Sequence, residues 1–208
     1  MYIEKPMQHF LDKLSSKSPE PGGGSAAALV GAEAAALVGM VCYLTLGKEK
    51  YADVQADIEL LRAQSEVARA DLQRLLQEDT EAFAEASAAY KLPKDTDEQK
   101  KHREEKIQSG LKKATEVPFA IGGKSLEVAR LSLTAAEKGN KGAVSDAGVG
   151  VLFAESAVQA AALNVRINLV SIKDAAYVSD KWKRMQEMMK EVETLKEKVL
   201  KITYDKIG

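Results

Sequence analysis

A chain of 208 residues with 45% hydrophobic and 29% charged side chains can bury a real core, as one large domain or two small ones. Its 30 Lys and Arg against 31 Asp and Glu leave a net charge of −1, so bulk charge selects neither a nucleic acid backbone nor an anionic membrane surface. Cys42 is the single cysteine, which excludes an internal disulfide and any CxxC metal pattern and fits a reducing, cytoplasmic setting. With only His9 and His102, neither a histidine metal cluster nor a Ser–His–Asp triad is expected.

In chain order, Met1 to Leu14 has the spacing of a short amphipathic helix through Ile3, Met7, Phe10, Leu11 and Leu14. No basic stretch followed by an apolar run and a cleavage site marks a secretory leader there. Pro21–Gly22–Gly23–Gly24–Ser25 comes next. Three glycines permit backbone angles closed to other residues, and Ser25 is placed to cap the helix that follows. Ser25–Leu46 carries one charge, Glu33, and reads as a helix apolar nearly all round. Its length would cross a bilayer, but Glu33, the missing aromatic belt and the many alanines favour a buried central helix or a subunit interface. Gly31 and Gly39, eight residues apart, face nearly the same way and admit a close neighbour.

The remainder is helical by pattern, and the predicted fold class is an all-α bundle. A long helix runs from a cap at Asp53 to about Tyr90, and another from Thr96 or Asp97 to Val117. Pro118 opens a further helix or kinks the same one, to about Lys138. Ser145 or Asp146 caps a helix ending near Ile172, and a last helix spans about Ser179–Ile207. In that last helix Trp182, Met185, Met189, Val192, Leu195, Val199 and Ile202 have the spacing of core packing.

Candidate chemistry starts from the long helix. Val54, Ile58, Leu61, Ser65, Ala68, Leu72 and Leu75 repeat at alternating steps of four and three, and the next position is Asp79, followed by Ala82, Phe83 and Ala86. Asp79 is therefore predicted to point inward. Desolvation raises the pKa of such a carboxylate, which suits proton exchange near neutral pH; a structural aspartate satisfied by a helix N-terminus or by a lysine fits the same pattern. The loop Gly22–Gly23–Gly24–Ser25 offers unpaired N–H groups and a helix dipole to an anionic or carbonyl ligand, or simply a tight turn. Asn164 and Asn168, one turn apart in an apolar run, can read the edge of a heterocycle or bond two helices together. Lys48 and Lys50 can stabilise a helix C-terminus or grip a carboxylate.

Taken in order, PGGGSAAA, Thr45-x-Gly47-Lys48-x-Lys50-Tyr51, Asp79-x-x-Ala82-Phe83, KLPK at Lys91–Lys94, Ser145–Asp146 and Asn164-x-x-x-Asn168 closely resemble the cyclodeaminase/cyclohydrolase family of folate enzymes. The resemblance covers nearly the whole chain and implies one helical domain, 1–208. It implies an all-α homodimer with a folate site near the subunit interface, Asp79 as the catalytic carboxylate, and Gly22, Gly23, Gly24, Ser25, Lys48, Tyr51, Ser145, Asp146, Asn164 and Asn168 lining the site. The ligand it implies is a tetrahydrofolate derivative, with no metal and no cofactor expected beyond that substrate. The leading expectation is formiminotetrahydrofolate cyclodeaminase, forming 5,10-methenyltetrahydrofolate and ammonia. Methenyltetrahydrofolate cyclohydrolase is the alternative, and a non-catalytic helical interaction protein is a second. Glu33 departs from the small or apolar residue that the family pattern leads one to expect there.

Overall fold

In the computed structural model, which describes residues 1–208, six α-helices form and no strand does. They are α1 (Met7–Leu14), α2 (Gly23–Tyr43), α3 (Gln55–Ala89), α4 (Asp97–Lys138), α5 (Val144–Leu169) and α6 (Ala175–Ile207), with short 3-10 turns at Tyr2–Glu4, Glu49–Val54 and Lys141–Ala143. Helices α2 to α5 make a ring in which each packs on the next and α2 closes on α5; α6 lies against α4 and α5.

The small residues of α2 set the spacing of this ring. A Cβ on Gly31 would stand 2.7 Å from Ser125 Oγ on α4 and 3.2 Å from Leu72 on α3, so both neighbours approach closer than any larger residue permits. The helix is not buried all round: Glu33, Ala36, Met40 and Tyr43 are exposed along one stripe. Glu33 thus sits in solvent, which removes the conflict between its charge and a buried helix. The segments Gly23–Tyr43 and Lys141–Leu169 are both long and apolar enough to cross a membrane by length and composition, and about half of each is buried inside the bundle.

The stripe on α3 packs as its spacing predicts, with Ile58, Leu61, Ser65, Ala68, Leu72, Leu75 and Ala82 buried. Phe83 is the exception, at 44% exposure. Several predicted ends move. Pro6 splits the first segment into a 3-10 turn and α1. Asp53 lies in the 3-10 turn before α3, whose N-cap is Val54. Thr96 does cap α4, accepting from Gln99 N at 3.2 Å while the Gln99 side chain returns to Thr96 N. Ser145 and Asp146 cap nothing: α5 starts at Val144 behind the 3-10 turn, which puts both inside its first turn. Asp174, rather than a residue near Ser179, caps α6 through Tyr177 N.

Pro118 lies within a continuous α4. Having no N–H, it leaves the carbonyl of Ala114 without its helical donor. Asn168 Nδ2 on α5 supplies the missing hydrogen bond at 2.8 Å. Asn168→Leu removes that donor and leaves a half-buried carbonyl unpaired, so urea unfolding should show a loss of about 1–3 kcal/mol. An unchanged midpoint would mean that water satisfies Ala114 equally well.

Candidate functional site

Where α3, α4 and α5 run past the N-terminus of α2, they enclose a cleft of about 400 Å³. Its base is Gly22–Gly23–Gly24. Asp79, Thr80, Phe83, Ser87 and Tyr90 come from α3, Leu111, Ala114 and Pro118 from α4, and Asn164, Ile167 and Asn168 from α5, with Pro19 and Glu20 at the entrance to the glycine loop.

None of the three glycines has a positive φ, so torsional freedom is not what the loop needs. Close approach is. A Cβ on Gly24 would lie 2.2 Å from Asp79 Oδ1, and one on Gly23 would lie 3.1 Å from Asn164 Nδ2. The N-cap of α2 is Gly22, not Ser25. Ser25 stands in the first turn and donates its hydroxyl to Asp79 Oδ2 at 2.8 Å. The anion at this helix N-terminus is therefore the chain's own carboxylate, which the helix dipole favours.

Burial pushes the Asp79 carboxyl above its ordinary value of 3.8, against the opposing pull of the Ser25 hydroxyl and backbone N–H. The result is a carboxylate that borders the cleft, is fixed in direction, and binds a proton more readily than a surface aspartate. That is the combination a proton-transfer group needs.

Both asparagines line the cleft and both are anchored. Asn164 Nδ2 donates to Ala160 O and Asn168 Nδ2 to Ala114 O, each at 2.8 Å. Those carbonyls require a donor, which fixes each amide's orientation and leaves its oxygen as an acceptor. For Asn168 the two readings coexist: it joins two helices and it borders the cleft. Phe83 and Tyr90, 44% and 48% exposed, add aromatic surface. Two amide oxygens, a carboxylate, free helix N–H groups and aromatic walls suit a planar heterocycle with a donor-rich edge.

The other predicted site residues lie elsewhere. Lys48 is exposed beyond the C-terminus of α2. Tyr51 donates to Asn140 Oδ1 at 3.3 Å and accepts from Lys141 N at 2.9 Å, which ties it to the start of α5 beside Ser145 and Asp146. The 21 residues of α2 separate this end from the glycine loop, about 30 Å at 1.5 Å per residue. Within one chain these four residues do not meet the cleft, because α2 and α5 are rigid and hold the two groups at opposite ends. Conversely, Glu20, Thr80, Ser87 and Tyr90 line the cleft without having been singled out. Ser87 and Tyr90 continue the helical spacing that runs from Asp79 through Phe83, so extending the stripe by two further turns would have found them.

Fold and site together define an all-helical protein that holds a desolvated carboxylate against a glycine-rich helix start at the base of a cleft. The model of the formiminotransferase-cyclodeaminase family matches residues 6–187, and the chain belongs to that family. It is 44% identical to the methenyltetrahydrofolate cyclohydrolase of Methylorubrum extorquens over 97% of each chain. It is 33% identical to the formimidoyltransferase-cyclodeaminase of Sus scrofa over 92% of this chain, spanning only 36% of that longer protein. The crystal structure of formiminotetrahydrofolate cyclodeaminase from Thermotoga maritima superposes with a TM-score of 0.90 at 28% identity, covering 100% of both chains.

Proposed function

We propose that this protein is a cytoplasmic folate enzyme whose reaction is that of a methenyltetrahydrofolate cyclohydrolase, opening 5,10-methenyltetrahydrofolate to 10-formyltetrahydrofolate. The observation that carries this reading is identity of 44% sustained over 97% of both chains with a stand-alone cyclohydrolase, ahead of the 33% shared with the cyclodeaminase half of a bifunctional protein. It reverses the order expected from sequence motifs alone. The cyclodeaminase reaction stays as the second reading, supported by the likeness to the Thermotoga maritima structure over the full chain.

The chemistry needs little beyond placement. The methenyl carbon bridges N5 and N10 as part of an amidinium cation and is already electrophilic, so the reading calls for no metal or further cofactor. Water adds to it, a proton leaves, and the N5–C bond opens. Asp79, held by Ser25, is placed as the base that takes the proton from water, and its charge stabilises the cation it faces. In the cyclodeaminase reading, the same carboxyl delivers a proton to the departing nitrogen. Asn164 and Asn168 offer their oxygens to the N–H groups of the pterin edge, with Phe83 or Tyr90 against its face.

The reading includes a homodimer. Val149, Leu152, Leu163, Ile167 and Val170 form an exposed apolar stripe along α5. If two α5 helices pair antiparallel about Ser156, residues 145 and 167 are equidistant from the centre. Ser145 and Asp146 of one copy then lie beside Ile167 and Arg166 of the other, within a turn of its Asn168, and Lys48 and Tyr51 follow at the same end. Such pairing reconciles the residues implied by the family resemblance with their separation inside one chain. Leu163 is 74% exposed, and Leu163→Glu is expected to turn a two-chain mass in solution into a one-chain mass and to lower turnover with it. A wild-type protein that is monomeric at assay concentration would remove this part of the reading.

The direct test offers the purified protein 5,10-methenyltetrahydrofolate and 5-formiminotetrahydrofolate separately and follows the methenyl chromophore. Accelerated loss of the first substrate supports the cyclohydrolase. Accelerated appearance of the chromophore with ammonia release, and no acceleration of ring opening, would establish the second reading instead.

A further inference from the structure

The charges bordering the cleft are all of one sign. Glu20 and Asp79 line it, and no lysine, arginine or histidine does. The two carboxylates are not equivalent. Asp79 is half-buried against the first turn of α2 and accepts the Ser25 hydroxyl at 2.8 Å. The partial positive charge of that helix start, roughly half an elementary charge, offsets much of the field Asp79 projects outward. Glu20 has no such compensation. Its carbonyl accepts the Ser18 hydroxyl at 2.6 Å, but no cationic side chain lies within ion-pair distance of its carboxylate. It is half-buried on the ridge between the cleft and a shallower, more open depression lined by Lys5, Gln77 and Glu81.

We infer that Glu20 is a specificity-determining residue of this site, one that makes the cleft favour folates whose one-carbon centre is a cation over folates in which it is neutral. The inference rests on the folate reading given above and extends it. Water addition removes the positive charge of the methenyl carbon, with release of a proton. A free carboxylate beside the glycine loop therefore binds substrate more tightly than product, and it weakens its own hold once the reaction is complete. Asp79 cannot provide this discrimination alone, because its charge is shared with the helix terminus and varies with the proton it handles.

The test is Glu20→Gln, with Glu20→Asp as the variant that keeps the charge. Three quantities are measured: KM for 5,10-methenyltetrahydrofolate, kcat, and the competitive inhibition constant of 5-formyltetrahydrofolate, whose one-carbon group is neutral. One partly screened charge pair several ångströms apart corresponds to about tenfold in affinity. Glu20→Gln is expected to raise KM for the cation about tenfold, to leave inhibition by the neutral folate within twofold, and to change kcat little, while Glu20→Asp stays near the wild type. The wild-type KM should also rise with salt more steeply than that of Glu20→Gln. Equal weakening of both folates in Glu20→Gln would overturn the inference, since it indicates a contact to the shared pterin rather than charge selection. No change in either constant would overturn it too. Failure of the unsubstituted protein to bind or turn over any folate would instead sink the parent reading, and this inference with it.

Discussion

Asp79→Asn is expected to lower turnover of the folate substrate by about 10²–10⁴, the usual contribution of a positioned acid or base, without unfolding the protein. The substitution is nearly isosteric, and an asparagine oxygen can still accept the Ser25 hydroxyl that now reaches Oδ2 at 2.8 Å. What is lost is the capacity to take a proton. Stability should respond in the opposite sense to activity. Burial raises the Asp79 carboxyl above 3.8, so the folded state holds its proton more tightly than the unfolded chain does. The stability this group contributes is fully present below the unfolded pKa and is lost as pH rises through the raised folded value. At neutral pH the buried charge is therefore a net burden, and its removal in Asp79→Asn should leave Tm equal or higher. In the wild type, activity should climb with pH through the raised carboxyl pKa, and this ascending limb should be missing from the residual activity of the variant. Full turnover by Asp79→Asn would remove the carboxylate from the mechanism. A large fall in Tm would mean instead that the carboxylate is held for structural reasons.

Asp79 was legible in the sequence because one charged position interrupted a long, largely apolar stripe, and helical periodicity is the strongest signal a single sequence carries. The helix order, the small-residue surface of α2 and the capping of α4 at Thr96 were legible for similar local reasons. Features that depend on what lies across a gap were not. The partner of the Ala114 carbonyl, Asn168, is 54 residues away in sequence, and nothing local to Pro118 identifies it. The glycine loop is the clearest case. Its sequence suggested unusual torsions and a capping serine, yet the structure has ordinary φ values there and a Ser25 hydroxyl turned to a carboxylate from another helix. Glycine reports that a side chain is not tolerated; only the fold says what would have met it. Lys48, Tyr51, Ser145 and Asp146 illustrate a different limit. A family resemblance groups residues by shared function, and one chain does not place these four at the cleft.

The three glycines should therefore respond to alanine in a graded order set by distance, with Gly24→Ala by far the most damaging. At Gly22 the nearest atom to an added Cβ is Pro19 O at 3.8 Å, an ordinary contact, and the extended backbone there accepts alanine. At Gly23 the Asn164 amide at 3.1 Å must shift by a few tenths of an ångström, which its side chain can do while keeping its bond to Ala160. At Gly24 the added carbon would stand 2.2 Å from Asp79 Oδ1, 2.6 Å from Cγ and 2.8 Å from Oδ2. No small adjustment clears three atoms of one carboxylate, so Asp79 must swing away and give up the Ser25 hydroxyl. A displacement of about 1 Å in a reacting group costs on the order of 10²-fold in rate, and Gly24→Ala should lose at least that much kcat. Its stability should fall much less, because alanine is a better helix former than glycine by about 1 kcal/mol and this offsets part of the lost hydrogen bond. Kinetics and thermal unfolding on the three variants separate this account from a requirement for glycine torsions. If torsional freedom were the reason for the loop, all three substitutions would damage the protein alike, and stability would fall with activity. If contact with Asp79 is the reason, activity should collapse only at Gly24.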